Sequence, residues 1–584
     1  MRSIQNSTPK QSWKVNASEG GQWLQRHGDA RCSHHSSRLP KMLLARCAIV
    51  GLLQMMTMSL AWSQVLTHGP VVGGVTASSA NVFVRTNQEA SVALRFGTDP
   101  NLETYLVSET FATSSASDFT KIIPIADLTA ETIYYLDVTV NGVPQLTVPP
   151  YPSFKAFPED GTSRDFKFVV LADFKNIESL TETTTTFSNA AAEAPDFVFI
   201  GGDVDHRNPR TLSDKRTMFK EFYDPTTPFM SGFVPLILQK MPIIHQWDDH
   251  DAGGNSLDRT YRNWNLSQQV FQEYVPAYPL PSVTPGIWQK FSYAQAECFV
   301  LDCRSQRDPA NDQDDSNKSM LDGNNLGPIG ELAWLKDALL ASTARWKIIF
   351  TSVTTNPSTK YPDGWAGYQT EWQALKDFIT LNQIQGVVFI SGDLHLGAID
   401  DGTAAGFPEM CVAKANYEKV DTRCSTAFEG IWSEGYFEDP CSGYGLVSVM
   451  ENPDRLILEA VDQAGVVRIS YTVPSSTPTP TPTATPTPTF TPTPTPAPPS
   501  ITTQPANRTV PVGALAKFRV TATGAVTLNY QWRKNGVDIV GATRALYTTP
   551  ATTEADDGAL FDVIVSNVAG SVTSNTATLR VRSR

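Results

Sequence analysis

The pattern of apolar and polar residues changes along the chain and divides it into regions that predict different folds. Residues 66–157 consist of short runs in which apolar and polar residues alternate, as at 80–85 and 133–140. Alternation at every second position is typical of strands that bury one face. This first region is therefore predicted to be a small β-sandwich.

The middle region, residues 160–473, has a different pattern, in which apolar runs alternate with stretches of helical spacing. Buried strands are predicted at 166–173, 196–203, 242–249, 346–353 and 386–393, and helices at 331–341 and 370–381. Apolar strands that alternate with amphipathic helices indicate an α/β or α+β sandwich. At roughly 310 residues, the region is near the upper size for a single hydrophobic core.

A proline-rich segment separates the middle region from the end of the chain. Eleven prolines fall between residues 474 and 499, mostly in Thr-Pro repeats, and such a segment is expected to be an extended linker. Residues 500–584 return to short alternating runs and are predicted to form an immunoglobulin-like β-sandwich with Trp532 in its core. This last region is expected either to contact a cell surface or polysaccharide, or to add stability without binding a ligand.

The first 63 residues are interpreted as a leader that contains a signal peptide. Basic residues precede the apolar stretch 47–61, and the small residues Ala61 and Ser63 favour cleavage before Gln64. A membrane anchor is the alternative, but a spanning helix needs about 20 apolar residues, and this stretch is shorter and interrupted by polar residues. We therefore expect an exported mature chain without a membrane span, located in the periplasm, at the cell surface or outside the cell.

The overall charge and the cysteines narrow the function classes further. The 584 residues include 46 Lys and Arg against 59 Asp and Glu, a net charge of -13, which argues against a surface that binds nucleic acid by neutralising phosphates. Cys298 and Cys303 lie in an apolar strand and are predicted to pack in the core. Cys411, Cys424 and Cys441 share one loop-rich stretch, where any two of them could form a disulfide after export.

Histidines and aspartates of the middle region cluster where the predicted strands end. The four segments that show this are Val169–Asp173, Phe199–His206, Ile244–Asp251 and Phe389–His395. Because ligands of open α/β sheets bind outside the carboxyl ends of the strands, we expect these segments to converge on one rim. Carboxylates packed together would repel each other and titrate abnormally unless cations neutralised them. The sequence therefore predicts a metal site at this rim.

The ordered set of motifs resembles the calcineurin-like metallophosphoesterases and, within them, the alkaline phosphatase D (PhoD-like) family. The resemblance rests on Trp247-Asp248-Asp249-His250-Asp251, Ser391-Gly392-Asp393-Leu394-His395, Leu301-Asp302-Cys303-Arg304-Ser305-Gln306-Arg307 and Asp363-Gly364-Trp365-Ala366-Gly367-Tyr368. It spans residues 66–473 and implies two sheets flanked by helices, preceded at 66–157 by a fibronectin-III-like β-domain. The linker and the immunoglobulin-like region lie outside it.

The resemblance also implies a centre of two divalent or trivalent metal ions. The metal ligands that it implies are Asp173, Asp203, His206, Asp249, Asp393 and His395. Asp203 would bridge the two ions, and His250 would lie just outside, where it donates a proton to the leaving oxygen or stabilises the transition state. Two ions about 3.5 to 4 Å apart would supply a bridging hydroxide for in-line attack on phosphorus. Carboxylate and imidazole ligands would accept iron, zinc or manganese, and an oxygen-rich subsite would accept calcium.

Other residues near the motifs have less specific predicted roles. Arg304 is predicted as a catalytic residue. Both Arg304 and Arg307 are predicted to hold phosphate oxygens, with a surface salt bridge as the alternative for each. His245 is predicted to be a core residue or to support the ligands. The chain departs from many calcineurin-like enzymes at Lys175, where they have histidine, and Asn356 is a weak counterpart of a further histidine ligand.

Two hypotheses of function follow from these observations. The first is an exported, metal-dependent phosphoesterase that hydrolyses phosphate mono- or diesters. The alternative is a cell-surface adhesion or scaffold protein whose phosphatase-like region is inactive, which the departure at Lys175 and the immunoglobulin-like region favour. The intact histidines and aspartates of the motifs argue for the enzyme.

Overall fold

The computed structural model describes residues 63–174, 185–227, 230–281, 284, 286–416, 430–437, 442–474, 498–523, 528–539, 542–567 and 570–582. The chain divides into two units, residues 1–477 and 478–584. Most of the predicted leader and of the proline-rich segment lies outside the described residues, as do Lys175, Cys424 and Cys441. The predictions that rest on them therefore stay predictions.

The first unit contains the elements of the N-terminal and middle regions. Its strands are β1 (Leu66–Gly73), β2 (Ala80–Thr86), β3 (Ser91–Gly97), β4 (Leu106–Val107), β5 (Phe111–Ala112), β6 (Thr120–Ile125), β7 (Ile133–Val140), β8 (Val143–Pro144), β9 (Ser153–Lys155), β10 (Phe166–Phe174), β11 (Phe197–Ile200), β12 (Ile243–His245), β13 (Gln289–Tyr293), β14 (Ala296–Val300), β15 (Trp346–Phe350), β16 (Val387–Ser391), β17 (Gly397–Asp400), β18 (Glu409–Cys411), β19 (Lys414–Asn416), β20 (Gly435–Phe437), β21 (Gly443–Glu451), β22 (Asp454–Asp462) and β23 (Val467–Val473). Its helices are α1 (Thr186–Ala192), α2 (Leu212–Phe222), α3 (Met230–Phe233), α4 (Asp249–Ala252), α5 (Trp264–Tyr274), α6 (Glu331–Ala341) and α7 (Gln369–Leu381). The predicted helices at 331–341 and 370–381 are confirmed as α6 and α7.

The largest sheet of this unit is mixed and has the strand order β23-β22-β21-β10-β11-β12-β1-β2-β6. Its centre is parallel: Val170 of β10 pairs with Phe199 of β11, which pairs with Ile244 of β12. Parallel strands in the middle of a layered fold are buried on both faces. This explains why the sequence of β11 is apolar throughout, with each of its residues buried.

A second sheet faces the first and has the order β13-β14-β15-β16-β18-β17-β20. The two sheets share an apolar core, in which Phe199 stacks on Phe350 with ring centroids 3.7 Å apart. Side chains of α1, α2 and α5 cover the outer face of the first sheet, and those of α6 and α7 cover the outer face of the second. Two sheets between helices agree with the predicted α/β sandwich.

The N-terminal region is joined to the middle region more closely than the sequence predicts. Its strands β1, β2 and β6 extend the largest sheet, because Gly73 of β1 pairs in parallel with Ile243 of β12. The backbones meet where no side chain intervenes, since a Cβ on Gly73 would lie 2.7 Å from the Ile243 carbonyl oxygen. The remaining strands, β3 to β5 and β7 to β9, form a separate antiparallel sheet. The fibronectin-III-like assignment stays a prediction.

The second unit is all-β in its described residues. Its strands are β24 (Ser500–Thr503), β25 (Arg508–Pro511), β26 (Lys517–Arg519), β27 (Thr521–Thr523), β28 (Asn529–Lys534), β29 (Val537–Asp538), β30 (Leu546–Thr548), β31 (Leu560–Asn567), β32 (Gly570–Thr573) and β33 (Ala577–Arg582). Trp532 is fully buried beside Phe518 in its core, as predicted. The immunoglobulin-like assignment itself stays a prediction.

Two further predictions concern single features of the chain. Cys298 and Cys303 are buried, in agreement with their predicted place in the core. Among the described residues, we find no helix with both the length and the apolar character that crossing a membrane requires.

Candidate metal centre

Four strand ends bring acidic side chains to one edge of the two facing sheets. Asp173 lies at the end of β10, Asp203 follows β11, Asp249 follows β12 and Asp393 follows β16. The first three strands are parallel neighbours in the largest sheet, and β16 belongs to the facing sheet. The sequence segments that were expected to converge therefore meet at one place.

Donor atoms of the first group lie close enough to share an ion. Asp173, Asp203, His206 and His395 each offer a ligand atom, and these atoms lie within 4.8 Å of one another. His206 Nε2 is 3.4 Å from Asp203 Oδ2, and His395 Nε2 is 3.5 Å from Asp173 Oδ1. Two carboxylates and two imidazoles form a donor set that suits iron, zinc or manganese.

Two further groups share Asp203 with the first. One adds Asp249 and His250, and the other adds Asp248 and Asp393. Asp203 is thus the side chain common to all three groups, which is the geometry required of a bridging ligand. His250, which the sequence places just outside the centre, has its Nε2 3.9 Å from Asp249 Oδ1 and lies among the candidate donors.

The backbone is strained where these side chains are presented. Asp173, Asp203, Asp393 and His395 all have positive φ, between 53° and 64°, a region that residues other than glycine seldom adopt. Such strain costs about 1 to 3 kcal/mol at each residue and persists only where the surrounding structure imposes it. Positive φ occurs elsewhere in the chain as well, but here it falls on four predicted ligands whose donor atoms converge.

Asp251 helps to impose this conformation and was not singled out from the sequence. Its carboxylate is buried and accepts hydrogen bonds from the backbone N–H groups of Asp203, Val204 and Asp248 at 2.8 to 2.9 Å. It thereby ties the segment after β11 to the segment after β12. The signal available in the sequence was the Asp-x-x-Asp spacing of Asp248 and Asp251, which forms a capping box at α4.

Hydrogen bonds also orient two of the histidines. The Nδ1 atom of His206 lies 2.7 Å from the carbonyl oxygen of Phe174, so Nδ1 donates and Nε2 carries the free lone pair. His250 Nδ1 lies 2.6 Å from Asn208 Oδ1. This hydrogen bond occupies Nδ1 and leaves Nε2 of His250 available for catalysis. Metal-binding histidines usually use their second nitrogen in this manner. Asn208 was not predicted as a functional residue.

The chemistry of the buried atoms fits a cation. Four buried atoms that could bind a metal ion have no hydrogen-bond partner. They are Asp173 Oδ1, Asp203 Oδ2, His206 Nε2 and Asp249 Oδ1. Burial, followed by the charge of neighbouring aspartates, raises the pKa of Asp173 and of Asp203 well above the usual range, and burial raises the pKa of Asp249 to about 6. Buried carboxylates without counter-ions are costly, and metal ions would satisfy the same atoms.

Arg304 does not occupy the place expected of a phosphate ligand. Its side chain is 0% exposed, and it binds Asp248 through Nε, Asp363 through Nη1 at 2.9 Å and Asp393 through Nη2 at 3.2 Å. All three partners come from different segments of the chain. The guanidinium therefore links three aspartates of the acidic edge from the protein interior. This buried ion-pair network contradicts the prediction that Arg304 binds the substrate.

Arg307 is also withdrawn from the substrate side. It is fully buried, and its Nη2 and Nη1 donate to Asp363 Oδ1 and to the Asp363 carbonyl, both at 2.6 Å. Asp363 thus receives both arginines of the Cys-Arg-Ser-Gln-Arg segment. The two alternatives weighed for these arginines were phosphate binding and a surface salt bridge, and the structure shows buried salt bridges, which neither alternative predicted.

Both carboxylate oxygens of Asp393, a predicted metal ligand, already accept hydrogen bonds from cationic side chains. Oδ2 accepts from Arg304, and Oδ1 accepts from Lys360 Nζ at 2.8 Å. Its backbone N–H donates to Asp173 Oδ2 at 3.2 Å, so it lies directly beside the first donor group. Lys360 was not singled out from the sequence, because it precedes the conspicuous Asp363-Gly364-Trp365 motif in a segment without a regular pattern.

His245 and Asn356 lie apart from the donor groups found among the described residues. His245 is buried among Phe219, Phe222 and Phe271, in agreement with its prediction as a core residue. Asn356 is buried, and its side-chain amide donates to the Ile431 carbonyl at 3.0 Å. It stabilises a loop and does not replace the missing histidine.

Comparison with known proteins agrees with this geometry. Residues 181–422 match the family model of the PhoD-like phosphatases. The chain contains a PhoD-like phosphatase domain. The family resemblance inferred from the motifs is thereby confirmed over these residues.

Two relatives show how far the likeness of the PhoD-like domain extends. Alkaline phosphatase D of Bacillus subtilis (strain 168) is 26% identical over 182 residues, which are 26% of this chain and 31% of that protein. The chain thus matches about a third of the length of this curated relative. A solved structure of PhoD aligns with 70% of this chain and 92% of its own, with a TM-score of 0.56 and 16% identity. This second likeness concerns the fold.

Proposed function

We propose that this chain is an exported, metal-dependent phosphoesterase that acts on phosphate mono- or diesters. The observation that carries the proposal is the group Asp173, Asp203, His206 and His395, whose donor atoms converge within 4.8 Å and include buried atoms without partners. Asp203, His206 and His395 lie within the residues that match the PhoD-like family model, which supports the same chemistry. Export rests on the apolar stretch 47–61 and its small-residue cleavage site.

The candidate ligands divide into two sets that share one carboxylate. Asp173, His206 and His395 would hold one ion, Asp249 would hold the other, and Asp203 would contact both, while His250 stays outside the ligand set. When bound, two such ions supply an activated water and neutralise the charge of the transferring phosphoryl group. The carboxylates contribute the negative charge that retains the ions, and the strained backbone fixes their positions.

His250 is the residue placed to serve the leaving group. Its Nδ1 donates to Asn208, so the ring presents Nε2 toward the donor cluster at the open side, where its side chain is 16% exposed. In the imidazolium form, Nε2–H donates its proton to the ester oxygen as the P–O bond breaks. The new P–O bond is made to the oxygen of water, which releases phosphate and the alcohol in an in-line displacement.

Removal of metal is expected to abolish hydrolysis. Dialysis against a chelator should remove turnover of an aryl phosphate ester, and readdition of manganese, zinc, iron or calcium, tested separately, should restore it, because the buried carboxylates need a cation. The measurement is turnover alongside metal content by mass spectrometry. Full activity in protein shown to contain no metal would contradict the proposal.

His250→Gln is expected to slow hydrolysis most for esters with a weakly acidic leaving group, because their leaving oxygen depends most on protonation. General acid catalysis contributes about 10² to 10⁴-fold, so an alkyl phosphate should lose about a hundredfold or more, whereas an ester of an acidic nitrophenol should lose much less. The comparison is kcat for both esters in wild type and variant. Equal losses for both leaving groups would contradict a proton donated by His250.

His245→Gln is the matched control for that substitution. His245 is a second histidine of the same domain, but it is enclosed by aromatic rings and not by the candidate donors. Its replacement is expected to lower the unfolding temperature and to leave the ratio of the two ester activities unchanged.

The scaffold alternative predicts no ester turnover at all in the metal-loaded wild type, and the intact donor set does not favour it.

A further inference from the structure

Three cationic side chains pair with aspartates at the acidic edge of the candidate centre. Two of the three are fully buried, and the third is partly exposed to solvent. Arg304 and Arg307 are 0% exposed, and carboxylates or carbonyls bind their nitrogens. The Lys360 side chain is 28% exposed. Among the described residues that pair with these aspartates, Lys360 is therefore the cation that a substrate can reach.

The loop that carries Lys360 is rigid at that position. Lys360 has φ 51°, and its carbonyl accepts the Gly364 N–H at 2.8 Å. The preceding Thr359 is buried and bonded through its hydroxyl to Thr354 at 2.7 Å and to the Asn356 carbonyl at 2.8 Å. A lysine in a left-handed conformation, held on both sides, is a costly arrangement that fixes where its side chain leaves the backbone.

The Lys360 side chain reaches the donor cluster through Asp393 and is partly exposed. Lys360 Nζ donates to Asp393 Oδ1 at 2.8 Å, and the N–H of Asp393 donates to Asp173, a member of the first donor group. An ammonium has three donors, and Asp393 takes one. The ammonium thus contacts one predicted metal ligand directly, and Asp393 leaves two of the ammonium N–H groups for a bound anion.

We propose that Lys360 binds the phosphate group of the substrate and thereby selects dianionic phosphate monoesters over monoanionic diesters. The inference rests on the proposed function and names its substrate class. Above neutral pH a phosphate monoester carries close to two negative charges, whereas a diester carries one. A fixed ammonium attracts the higher charge more strongly, so it discriminates by charge without contacting the leaving group.

Binding of inorganic anions tests this inference apart from turnover. Calorimetry on manganese-loaded protein near pH 8 would compare inorganic phosphate with dimethyl phosphate, a monoanion. In Lys360→Met, the Kd for inorganic phosphate is expected to rise about tenfold or more and that for dimethyl phosphate about threefold or less. Lys360→Arg should restore most of the difference, because it keeps the charge.

Lys290→Met is the matched control, since Lys290 also pairs with a carboxylate, Glu297 at 2.6 Å, but lies on β13 outside the centre. Its replacement is expected to change neither Kd. Thermal unfolding of each variant checks that it is folded, and Lys360→Gln replaces Lys360→Met if the latter is not. Equal changes for the two anions, or none, would overturn the inference.

Turnover separates this inference from the proposed function. If the wild type hydrolyses esters, Lys360→Met is expected to lower the ratio of monoester to diester kcat/KM by about tenfold, and an unchanged ratio would refute the role of Lys360. If the metal-loaded wild type hydrolyses no ester, the proposed function fails, while the anion titrations still decide whether Lys360 binds phosphate.

Discussion

Asp203→Asn is expected to lower kcat/KM for an aryl phosphate ester by about a thousandfold or more, which corresponds to several kcal/mol of lost transition-state stabilisation. Asp203 belongs to all three groups of candidate donors. Its Oδ1 accepts from the His250 N–H at 3.2 Å, while Oδ2 is buried without a partner. An amide would keep the shape of the side chain but remove the charge that both ions need.

The measurement combines steady-state kinetics with the metal content of the purified protein, because loss of metal and loss of turnover should occur together. Asp137→Asn is the control: Asp137 is equally buried, but it lies on β7 and pairs with Arg95. That variant should retain its metal and its kcat/KM at a temperature below its unfolding transition. An Asp203→Asn protein with wild-type kcat would rule out the proposed centre.

Arg304→Met is expected to lower the free energy of unfolding by about 3 to 5 kcal/mol, the usual cost of removing one partner from buried ion pairs. The substitution keeps most of the side-chain volume but leaves Asp248, Asp363 and Asp393 without their shared guanidinium. These carboxylates are nearly inaccessible to water. The destabilisation arises from the charges that stay behind.

Denaturant unfolding of the wild type and the variant measures this difference. Arg164→Met removes ion pairs with Glu131 and Asp196 that are more exposed than those of Arg304, so it should cost about 1 kcal/mol or less. The phosphate-binding role that the sequence suggested makes the opposite prediction for Arg304, namely a raised KM at unchanged stability. That outcome would show that the guanidinium turns toward the substrate.

The position of the candidate centre could be predicted because it depends on regular structure. Each of Asp173, Asp203, Asp249 and Asp393 follows a short apolar run, and parallel strands with their carboxyl ends at one edge leave such residues together. The helices α6 and α7 could be predicted for a related reason, since their apolar spacing is continuous over several turns.

The contacts that charge and orient the centre could not be predicted, because they depend on loops. Asn208 and Lys360 lie in segments without periodicity, and their partners are distant in sequence: 42 residues for Asn208 and His250, and 33 for Lys360 and Asp393. The role of Arg304 was missed for the same reason. A motif shows that an arginine is present, but burial decides whether it faces a substrate or a set of aspartates.

The parallel pairing of β1 with β12 has a consequence for where this part of the chain can be truncated. A fragment that began near residue 160 would lose β1 and leave β12 as the edge of its sheet, with unpaired backbone groups that promote aggregation. It would also uncover the rings of Phe291 and Tyr293, which pack against Phe157 with centroids 6.3 and 4.7 Å away. The N-terminal strands therefore cover the edge of this sheet, and a fragment that keeps the candidate centre without exposing that edge has to start before β1.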